Sequence, residues 1–278
     1  MGIDTYEIIV IGCGKMGSAL AGGLIKSGVV EADSLHLCDR DGDKAGDLAA
    51  STGGTRVDPD QVFDWATGER RLFIVAVKPG DVGGLLERGR EAFTGEDTVV
   101  SLAAGVPTDL LEEWAGPEPA IVRAMPNTPA LIGRGITGVF GKRGADMETV
   151  RTLFEGVGEA VELKKEADFD ALTAVSGSGP AYVFVAIEAL ADGAVSMGLD
   201  RETAIELATE TIAGSGLLAA DSDLHTAELK DAVASPGGTT ITGLTELEDR
   251  GFRGELIEAV RAAAEKSEEL TEQLLSED

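Results

Sequence analysis

Short apolar runs alternate with helical stretches along the first half of the chain. The apolar runs fall at residues 8–11, 35–38, 72–77, 98–102, 120–124 and 136–140. Such runs, separated by segments with helical spacing, are typical of parallel strands that are connected by helices. The pattern therefore predicts an α/β fold that begins with a Rossmann-type parallel sheet domain.

From about residue 168 the pattern changes to an alanine-rich helical periodicity, and the strand-like runs end. A glycine-proline pair at 179–180 begins one helix and Gly198 ends it. The sequence therefore predicts two domains, a dinucleotide-binding sheet domain over residues 1–165 and an all-helical C-terminal domain over residues 166–278.

The helix predicted over residues 181–197 is apolar on nearly all sides. A surface helix of a monomer needs only one apolar stripe, so we interpret this helix as buried between subunits. A central helix of a monomer is the alternative. Glu188 and Asp192 interrupt the run, which is also short for a membrane span, and we therefore expect no membrane association.

Acidic residues outnumber basic ones by 50 to 23, and the formal net charge is −27. The carboxylates are spread along the chain, and a surface of this sign repels nucleic acid. It also suggests adaptation to a concentrated salt interior, as in a halophilic organism, with an ordinary acidic surface as the alternative. The N-terminus has no basic segment followed by an apolar core, so we expect a cytoplasmic protein.

The chain has two cysteines, Cys13 and Cys38, and two histidines, His36 and His225. Their spacing fits neither a zinc site nor a Ser-His-Asp triad. We expect reduced, unpaired thiols, no metal, and chemistry that does not depend on a histidine.

A glycine-rich turn directly follows the first apolar run. Gly12, Gly14 and Gly17 have the G-x-G-x-x-G spacing, and a helical pattern begins after them. In this context Gly12 permits a tight turn, Gly14 allows a pyrophosphate to approach the backbone, and Gly17 lets the helix pack on the strand. The second apolar run ends in Asp39, at about the interval expected for a ribose contact. We therefore predict a dinucleotide cofactor, with a chance glycine turn as the alternative.

A second glycine-rich turn occupies residues 235–240 and leads into another helical pattern. It reads serine, proline, two glycines and two threonines. Glycines let backbone N–H groups approach a ligand, and the start of a helix adds positive potential. The turn therefore predicts a site for a carboxylate or phosphate. The alternative is an ordinary loop in which Thr239 caps the helix.

The chain resembles the pyrroline-5-carboxylate reductase family over nearly its whole length. Besides the two glycine-rich turns, the resemblance rests on the stretches 76–79, 123–129 and 176–184, which occur in the family's order. It implies an NADPH- or NADH-dependent reduction of 1-pyrroline-5-carboxylate to L-proline, the last step of proline biosynthesis. It also implies a homodimer or larger homo-oligomer in which the helical domain binds the substrate and forms the dimer. The active site is then expected between the nucleotide domain of one subunit and helices of a dimer.

The resemblance further implies roles for individual residues. Thr240 is expected beside the ring nitrogen as the catalytic residue, and Ser235, Gly238 and Thr239 are expected to bind the substrate carboxylate with it. Glu166 matches a position near the substrate, although the sequence alone leaves open a surface charge at the domain boundary. The expected cofactor-binding residues are Gly12, Gly14, Lys15, Met16, Gly17, Asp39, Arg40, Asp60, Ala76, Val77, Lys78, Pro79, Ala104, Met125 and Asn127.

Two neighbouring residues point to different cofactors. The Asp39 carboxylate could accept the ribose 2′-hydroxyl of NADH, whereas the Arg40 guanidinium could bind the 2′-phosphate of NADPH. Many members of the family have an asparagine near the position of Asp60. The sequence leaves the preference open.

Two other functions fit parts of the pattern. A 3-hydroxyacid dehydrogenase shares the architecture but uses a lysine on an early helix of its second domain, and residues 176–182 contain none. A non-catalytic dinucleotide sensor would keep the first glycine-rich turn and would have no use for the second.

Overall fold

The computed structural model describes residues 3–65, 70–142 and 144–277, which form eight strands and eleven α-helices. The strands are β1 (Glu7–Ile11), β2 (Leu35–Cys38), β3 (Thr55–Arg56), β4 (Arg71–Val75), β5 (Thr98–Ser101), β6 (Ala120–Met125), β7 (Gly135–Gly141) and β8 (Gly158–Glu162). The helices are α1 (Lys15–Ser27), α2 (Gly42–Thr52), α3 (Pro79–Gly89), α4 (Thr108–Ala115), α5 (Met147–Glu155), α6 (Asp168–Leu172), α7 (Gly179–Ser196), α8 (Arg201–Asp221), α9 (Thr226–Val233), α10 (Thr239–Asp249) and α11 (Phe252–Glu277).

The strands form one sheet in the order β3-β2-β1-β4-β5-β6-β7-β8. All six predicted strands are present, and the predicted Rossmann-type sheet is confirmed. One strand differs in direction, because β7 pairs antiparallel with β6. Only residues 126–134 connect the two, and a parallel crossover needs a dozen or more residues.

The strand order reverses at β1, which lies between β2 and β4. Ligands of such sheets bind at this switch point, outside the carboxyl ends of the strands. The predicted run 72–77 extends beyond β4, so Ala76 and Val77 leave the sheet at this edge. They are therefore available to line a site.

Both faces of the sheet are covered. Ile8 and Val10 belong to one cluster of buried side chains, whereas Ile9 and Ile11 belong to a second cluster. Alternate residues of a strand point to opposite faces, so the apolar run of β1 is buried on both sides. This double burial explains why the strands read as continuous apolar runs.

The chain divides into two compact units, which we call the sheet unit and the helical unit. The helical unit comprises residues 178–262, and the sheet unit comprises the described residues up to 177 together with residues 263–277. By packing, the segment 166–177 and the end of α11 belong to the sheet unit. The domain boundary predicted at residue 165 marks a change of sequence pattern and stays a prediction.

The helical unit has the capping that the sequence predicts. Helix α7 begins at Gly179, Gly198 has a φ of 103°, and the Asp200 carboxylate accepts a hydrogen bond from the Thr203 N–H at 3.0 Å. In α7, Ala191 is buried between α7 and α8, whereas Phe184 is 61% exposed. Other large apolar side chains of α7 are also exposed, which supports the interpretation that another subunit covers this helix.

Candidate active site

The first glycine-rich turn has the geometry that its three glycines predict. Gly12 has a φ of 106°, and a Cβ placed on it would lie 2.6 Å from the Ala76 carbonyl oxygen. A Cβ on Gly17 would lie 1.9 Å from the Gly12 carbonyl oxygen. A Cβ on Gly14 would meet no atom within 4 Å. Open space therefore adjoins Gly14, which is the N-cap of α1, and this arrangement fits a dinucleotide pyrophosphate.

A cavity of about 420 Å³ lies at the carboxyl ends of β1, β2 and β4. Its lining includes seven of the residues predicted to bind the cofactor. They are Gly12, Gly14, Asp39, Arg40, Ala76, Val77 and Lys78.

The other predicted cofactor residues do not line this cavity. Met16 packs against the core, and Gly17 is buried against Gly12. Asn127 is also buried, and its amide group donates to the Ser176 carbonyl oxygen at 3.1 Å and accepts from the Ile136 N–H at 3.0 Å. The expected contact of Asn127 with the cofactor stays a prediction. The same holds for the cofactor contacts expected of Lys15, Met16, Gly17, Asp60, Pro79, Ala104 and Met125.

The lining of the cavity carries more cations than anions. Arg40, Lys44, Lys78 and Arg88 contribute positive charge, whereas Asp39 and Asp81 contribute negative charge. A local excess of cations in a chain with a net charge of −27 favours a polyanionic ligand.

Sequence reasoning missed two of these cations, Lys44 and Arg88. For Arg88 a signal was present. Asp81, Gly84, Leu85 and Arg88 all line the cavity, and their spacing places them on one face of α3. Since α3 begins directly after Lys78, the whole face could have been assigned to the cofactor.

The Asp39 carboxylate fastens the end of β2 to the glycine-rich turn. Its Oδ2 accepts a hydrogen bond from the Cys13 N–H at 2.7 Å, and its Oδ1 accepts one from the Asp41 N–H at 2.8 Å. Both oxygens are therefore engaged with backbone groups. A hydrogen bond from a ribose hydroxyl to the Asp39 carboxylate stays a prediction. The hydroxyl would have to share carboxylate oxygens that already accept hydrogen bonds from the backbone.

Arg40 and Asp60 lie at the rim of this site. The Arg40 side chain is 81% exposed and faces Asp81 across 3.9 Å. The Asp60 side chain is 93% exposed and lies 3.7 Å from Arg88, which also donates a 2.8 Å hydrogen bond to the Pro59 carbonyl oxygen. Exposed pairs at such distances contribute little to stability, so these side chains can rearrange around a ligand.

The two thiols beside this cavity are buried. Burial, together with the Asp39 charge, raises the pKa of the Cys13 thiol to about 12 and that of the Cys38 thiol to about 11. Both groups are therefore protonated near neutral pH and are poor nucleophiles.

The second glycine-rich turn lies in the helical unit. Gly237 has a φ of 67°, and the Gly238 N–H donates to the Ser235 carbonyl oxygen at 3.0 Å. Gly238 is the N-cap of α10, and Thr239 and Thr240 are its first two residues. The alternative in which Thr239 caps the helix is therefore wrong.

This cap has a consequence for binding. A glycine N-cap has no side chain to accept hydrogen bonds from the N–H groups of the first turn, and those groups have no partner within the helix. The Thr240 side chain is half-buried, whereas Ser235 and Thr239 are exposed. The start of α10 thus presents backbone donors and a threonine hydroxyl on one turn.

Glu166 forms a polar cluster within the sheet unit. Its Oε1 accepts from the Thr108 N–H at 2.7 Å, and its Oε2 accepts from the Thr108 hydroxyl at 2.5 Å. Arg123 donates to Oε1 at 3.3 Å and stacks over the Phe169 ring at 4.2 Å. The carboxylate therefore joins the start of α4 to β6. This structural contact differs from both roles expected from the sequence, a substrate contact and a surface charge at the domain boundary. Binding of substrate by Glu166 stays a prediction.

Comparison with known proteins gives matches over nearly the whole chain. A family model described as pyrroline-5-carboxylate reductase dimerisation matches residues 166–270, and one described as NADP oxidoreductase, coenzyme F420-dependent, matches residues 7–105. The pyrroline-5-carboxylate reductase of Methanosarcina acetivorans is 39% identical over 96% of this chain and 99% of its own length. That of Escherichia coli is 39% identical over 95% of this chain and 98% of its own length.

Solved structures are similar as well. A pyrroline-5-carboxylate reductase from Coxiella burnetii superposes with a TM-score of 0.90 at 33% identity, covering 96% of this chain and 99% of that one. The Plasmodium falciparum pyrroline carboxylate reductase with NADP bound has a TM-score of 0.81 at 32% identity, covering 97% of this chain and 100% of that one.

Proposed function

This chain belongs to the pyrroline-5-carboxylate reductase family and reduces 1-pyrroline-5-carboxylate to L-proline with NADPH or NADH, and we propose that its two glycine-rich turns bind the two ligands of that reaction. The protein is an oxidoreductase of proline biosynthesis and assembles as a homo-oligomer through its dimerisation region. It is neither a 3-hydroxyacid dehydrogenase nor a dinucleotide sensor. The observation that carries our proposal is the pair of helix starts with glycine N-caps, Gly14 before α1 and Gly238 before α10.

We assign the substrate carboxylate to the start of α10. The free N–H groups of the first helical turn and the positive end of the helix dipole favour a small anion. A Cβ on Gly238 would lie 2.3 Å from the Ser235 hydroxyl oxygen, so the turn itself requires a glycine there. The missing side chain leaves the backbone N–H groups of the first helical turn uncovered. Ser235, Gly238 and Thr239 thus act through the backbone shape of the turn.

We assign the ring nitrogen of the substrate to the Thr240 hydroxyl. A protonated cyclic imine accepts a hydride readily, and when bound the reduced nicotinamide supplies that hydride. The tasks left for the protein are to orient the ring and to keep its nitrogen protonated. A hydroxyl can accept a hydrogen bond from the iminium N–H and can relay its proton, so no strong acid is required.

We assign the cofactor to the cavity of the sheet unit. The pyrophosphate lies at Gly14, where the free N–H groups of α1 are exposed to it. Three cations of the lining, Arg40, Lys44 and Arg88, lie on the adenosine side of the site, since they follow β2 or contact residues 59–60 after β3. The Asp39 oxygens already accept backbone hydrogen bonds. These contacts support a preference for NADPH over NADH, because a 2′-phosphate needs cationic partners.

Arg40→Ala is expected to weaken NADPH binding by about 1.5–3 kcal/mol, the contribution of a hydrogen bond to a charged group, and to leave NADH binding nearly unchanged. Arg88→Ala, which removes a lining cation that sequence reasoning missed, should have the same signature. Titration of both cofactors against each variant, followed by protein fluorescence, measures the difference. Arg151→Ala on α5 serves as a matched control, since Arg151 pairs with Glu155 outside the cavity. Equal losses for the two cofactors would contradict a phosphate contact.

Turnover tests the whole assignment. The purified protein, given pyrroline-5-carboxylate and NADPH or NADH, should consume the reduced cofactor, measured by its absorbance, and should release proline. An absence of turnover with either cofactor, at both high and low salt, would contradict the proposed site.

The acidic surface leads to a separate expectation about salt. Fifty carboxylates with only 23 basic partners repel one another at low ionic strength, and salt screens that repulsion. Thermal unfolding should therefore shift to higher temperature as potassium chloride rises from dilute to molar concentration. Full stability and activity in dilute buffer would contradict adaptation to a salty interior.

We further propose that the enzyme works in the cytoplasm. Among the residues that the structure describes, one helical stretch, Asp168–Ser196, is long and apolar enough to cross a membrane by length and composition alone. It lies within residues 166–270, which match the dimerisation family model, so burial against a second copy accounts for its composition.

A further inference from the structure

The strand order indicates which loops face the two halves of the cofactor. The pyrophosphate site follows β1, and β2 and β4 lie on opposite sides of it. In folds of this kind the adenosine half extends over β2 and the nicotinamide half extends over the strands on the other side. The loop 102–107, which connects β5 to α4, therefore lies on the nicotinamide side.

This loop is fixed at several points. Ala103 and Val106 are buried in the core, whereas Ala104 between them is exposed. Gly105 has a φ of 76°, a conformation that favours glycine. At the end of the loop, Thr108 is held by the Glu166 carboxylate. The exposed Ala104 is thus presented by a loop whose neighbouring residues are all restrained.

The last turns of α11 pack against the same loop within the sheet unit. A Cβ placed on Gly105 would lie 3.5 Å from the Thr271 hydroxyl oxygen, which shows how closely the helix approaches the loop backbone. Leu274 packs against the core cluster that contains Ala103 and Val106. The Ser267 hydroxyl donates to the Asp170 carboxylate at 2.7 Å and so anchors this part of the helix.

We propose that residues 267–274 of α11 form a positioning element that holds the loop 102–107 in the shape required by the nicotinamide half of the cofactor. None of these residues needs to touch the cofactor, because they act through Gly105 and the buried residues that flank Ala104. The inference rests on the proposed function only in requiring a nicotinamide dinucleotide in the cavity.

Leu274→Ala tests the proposal, with Leu275→Ala as the matched control. Leu274 is partly buried against the core cluster that includes Ala103 and Val106 of the loop, whereas the neighbouring Leu275 is 51% exposed. Two ligands are titrated by calorimetry, NADPH and 2′-phospho-ADP-ribose, which has the same adenosine and pyrophosphate groups but no nicotinamide. Leu274→Ala should lower the affinity for NADPH about tenfold, the loss of about one hydrogen bond or its equivalent in contacts to the nicotinamide half. The affinity for the fragment should change less than about twofold. Leu275→Ala should change neither affinity.

Two results would overturn the proposal. Equal weakening of both ligands would mean that α11 stabilises the sheet unit as a whole, and unchanged affinity for NADPH would mean that the helix does not act on the loop. If Leu274→Ala fails to fold, Thr271→Ala removes the closest contact to Gly105 and is judged by the same comparison. The cofactor titrations require no substrate, so they test the role of α11 independently of turnover. A failure of the parent protein to reduce pyrroline-5-carboxylate would contradict the proposed function but would not change the outcome of these titrations.

Discussion

Replacing Gly14 with valine is expected to reduce the affinity for NADPH by about a hundredfold or more while the protein remains folded, because two or more charge-assisted hydrogen bonds to the pyrophosphate are lost. The free protein should tolerate the substitution. Gly14 has φ −75° and ψ −168°, which any residue can adopt, and a Cβ there meets no atom within 4 Å. The added side chain would instead fill the space that the pyrophosphate requires. Calorimetric titration with NADPH and thermal unfolding together measure the two effects.

Two other glycines of α1 provide the controls for this experiment. Gly22→Ala places a methyl group where no atom lies within 4 Å and outside the cofactor cavity, so the affinity should not change and the protein should gain about 0.5–1 kcal/mol of stability. Gly17→Ala should lower stability and affinity together, because its Cβ would lie 1.9 Å from the Gly12 carbonyl oxygen. A Gly14→Val protein that binds NADPH as the parent does would remove the start of α1 from the cofactor site.

Thr240→Ala is expected to lower kcat/KM for pyrroline-5-carboxylate by roughly ten- to several-hundred-fold, between the loss of one hydrogen bond and the loss of a general acid. Folding should survive, since Thr240 is half-buried and Gly238, not a threonine, is the N-cap of α10. Thr240→Ser keeps the oxygen and should retain most of the activity. Steady-state kinetics with saturating cofactor, together with circular dichroism, separate the effect on chemistry from any effect on folding.

A second threonine of α10 is the matched control. The Thr245 hydroxyl donates to the Ile241 carbonyl oxygen at 2.9 Å and is exposed, so Thr245→Ala should leave kcat/KM unchanged. If Thr240→Ala turned over like the parent, the hydroxyl would have no part in catalysis, and orientation by backbone N–H groups would remain as the main contribution of this turn.

The fold was predictable where local sequence determines structure. The apolar runs predicted six strands because those strands are buried on both faces. Strand β8 lies at the edge of the sheet with a mostly exposed GEAVE sequence, and β3 has only two residues, so neither produces an apolar run. The direction of β7 depends on the length of its connection to β6, which an alternation of apolar runs does not reveal.

The site was predictable in a similar way. The steric roles of Gly12 and Gly17 follow from the requirements of one turn, and the geometry shows the close backbone approaches that both need, whereas Gly14 borders open space and its contact with a pyrophosphate stays a prediction. By contrast, the partners of Asp39, Asn127 and Glu166 include residues that are 26, 49 and 58 positions away, respectively. Contacts of such long sequence separation appear only when the chain is folded, and they give these polar side chains structural partners that no motif indicates.

The sheet unit is discontinuous in sequence, because the chain leaves it after residue 177 and returns for residues 263–277. During synthesis the whole Rossmann-type sheet emerges from the ribosome well before the stretch that contains Leu274, which packs against its core. A nascent chain can therefore fold its strands early but cannot complete this unit until residues 263–277 have been synthesised. The same reasoning applies to expression of the nucleotide-binding part alone, since a fragment cut at residue 177 would lose the Leu274 side chain that packs against the core cluster of the sheet unit.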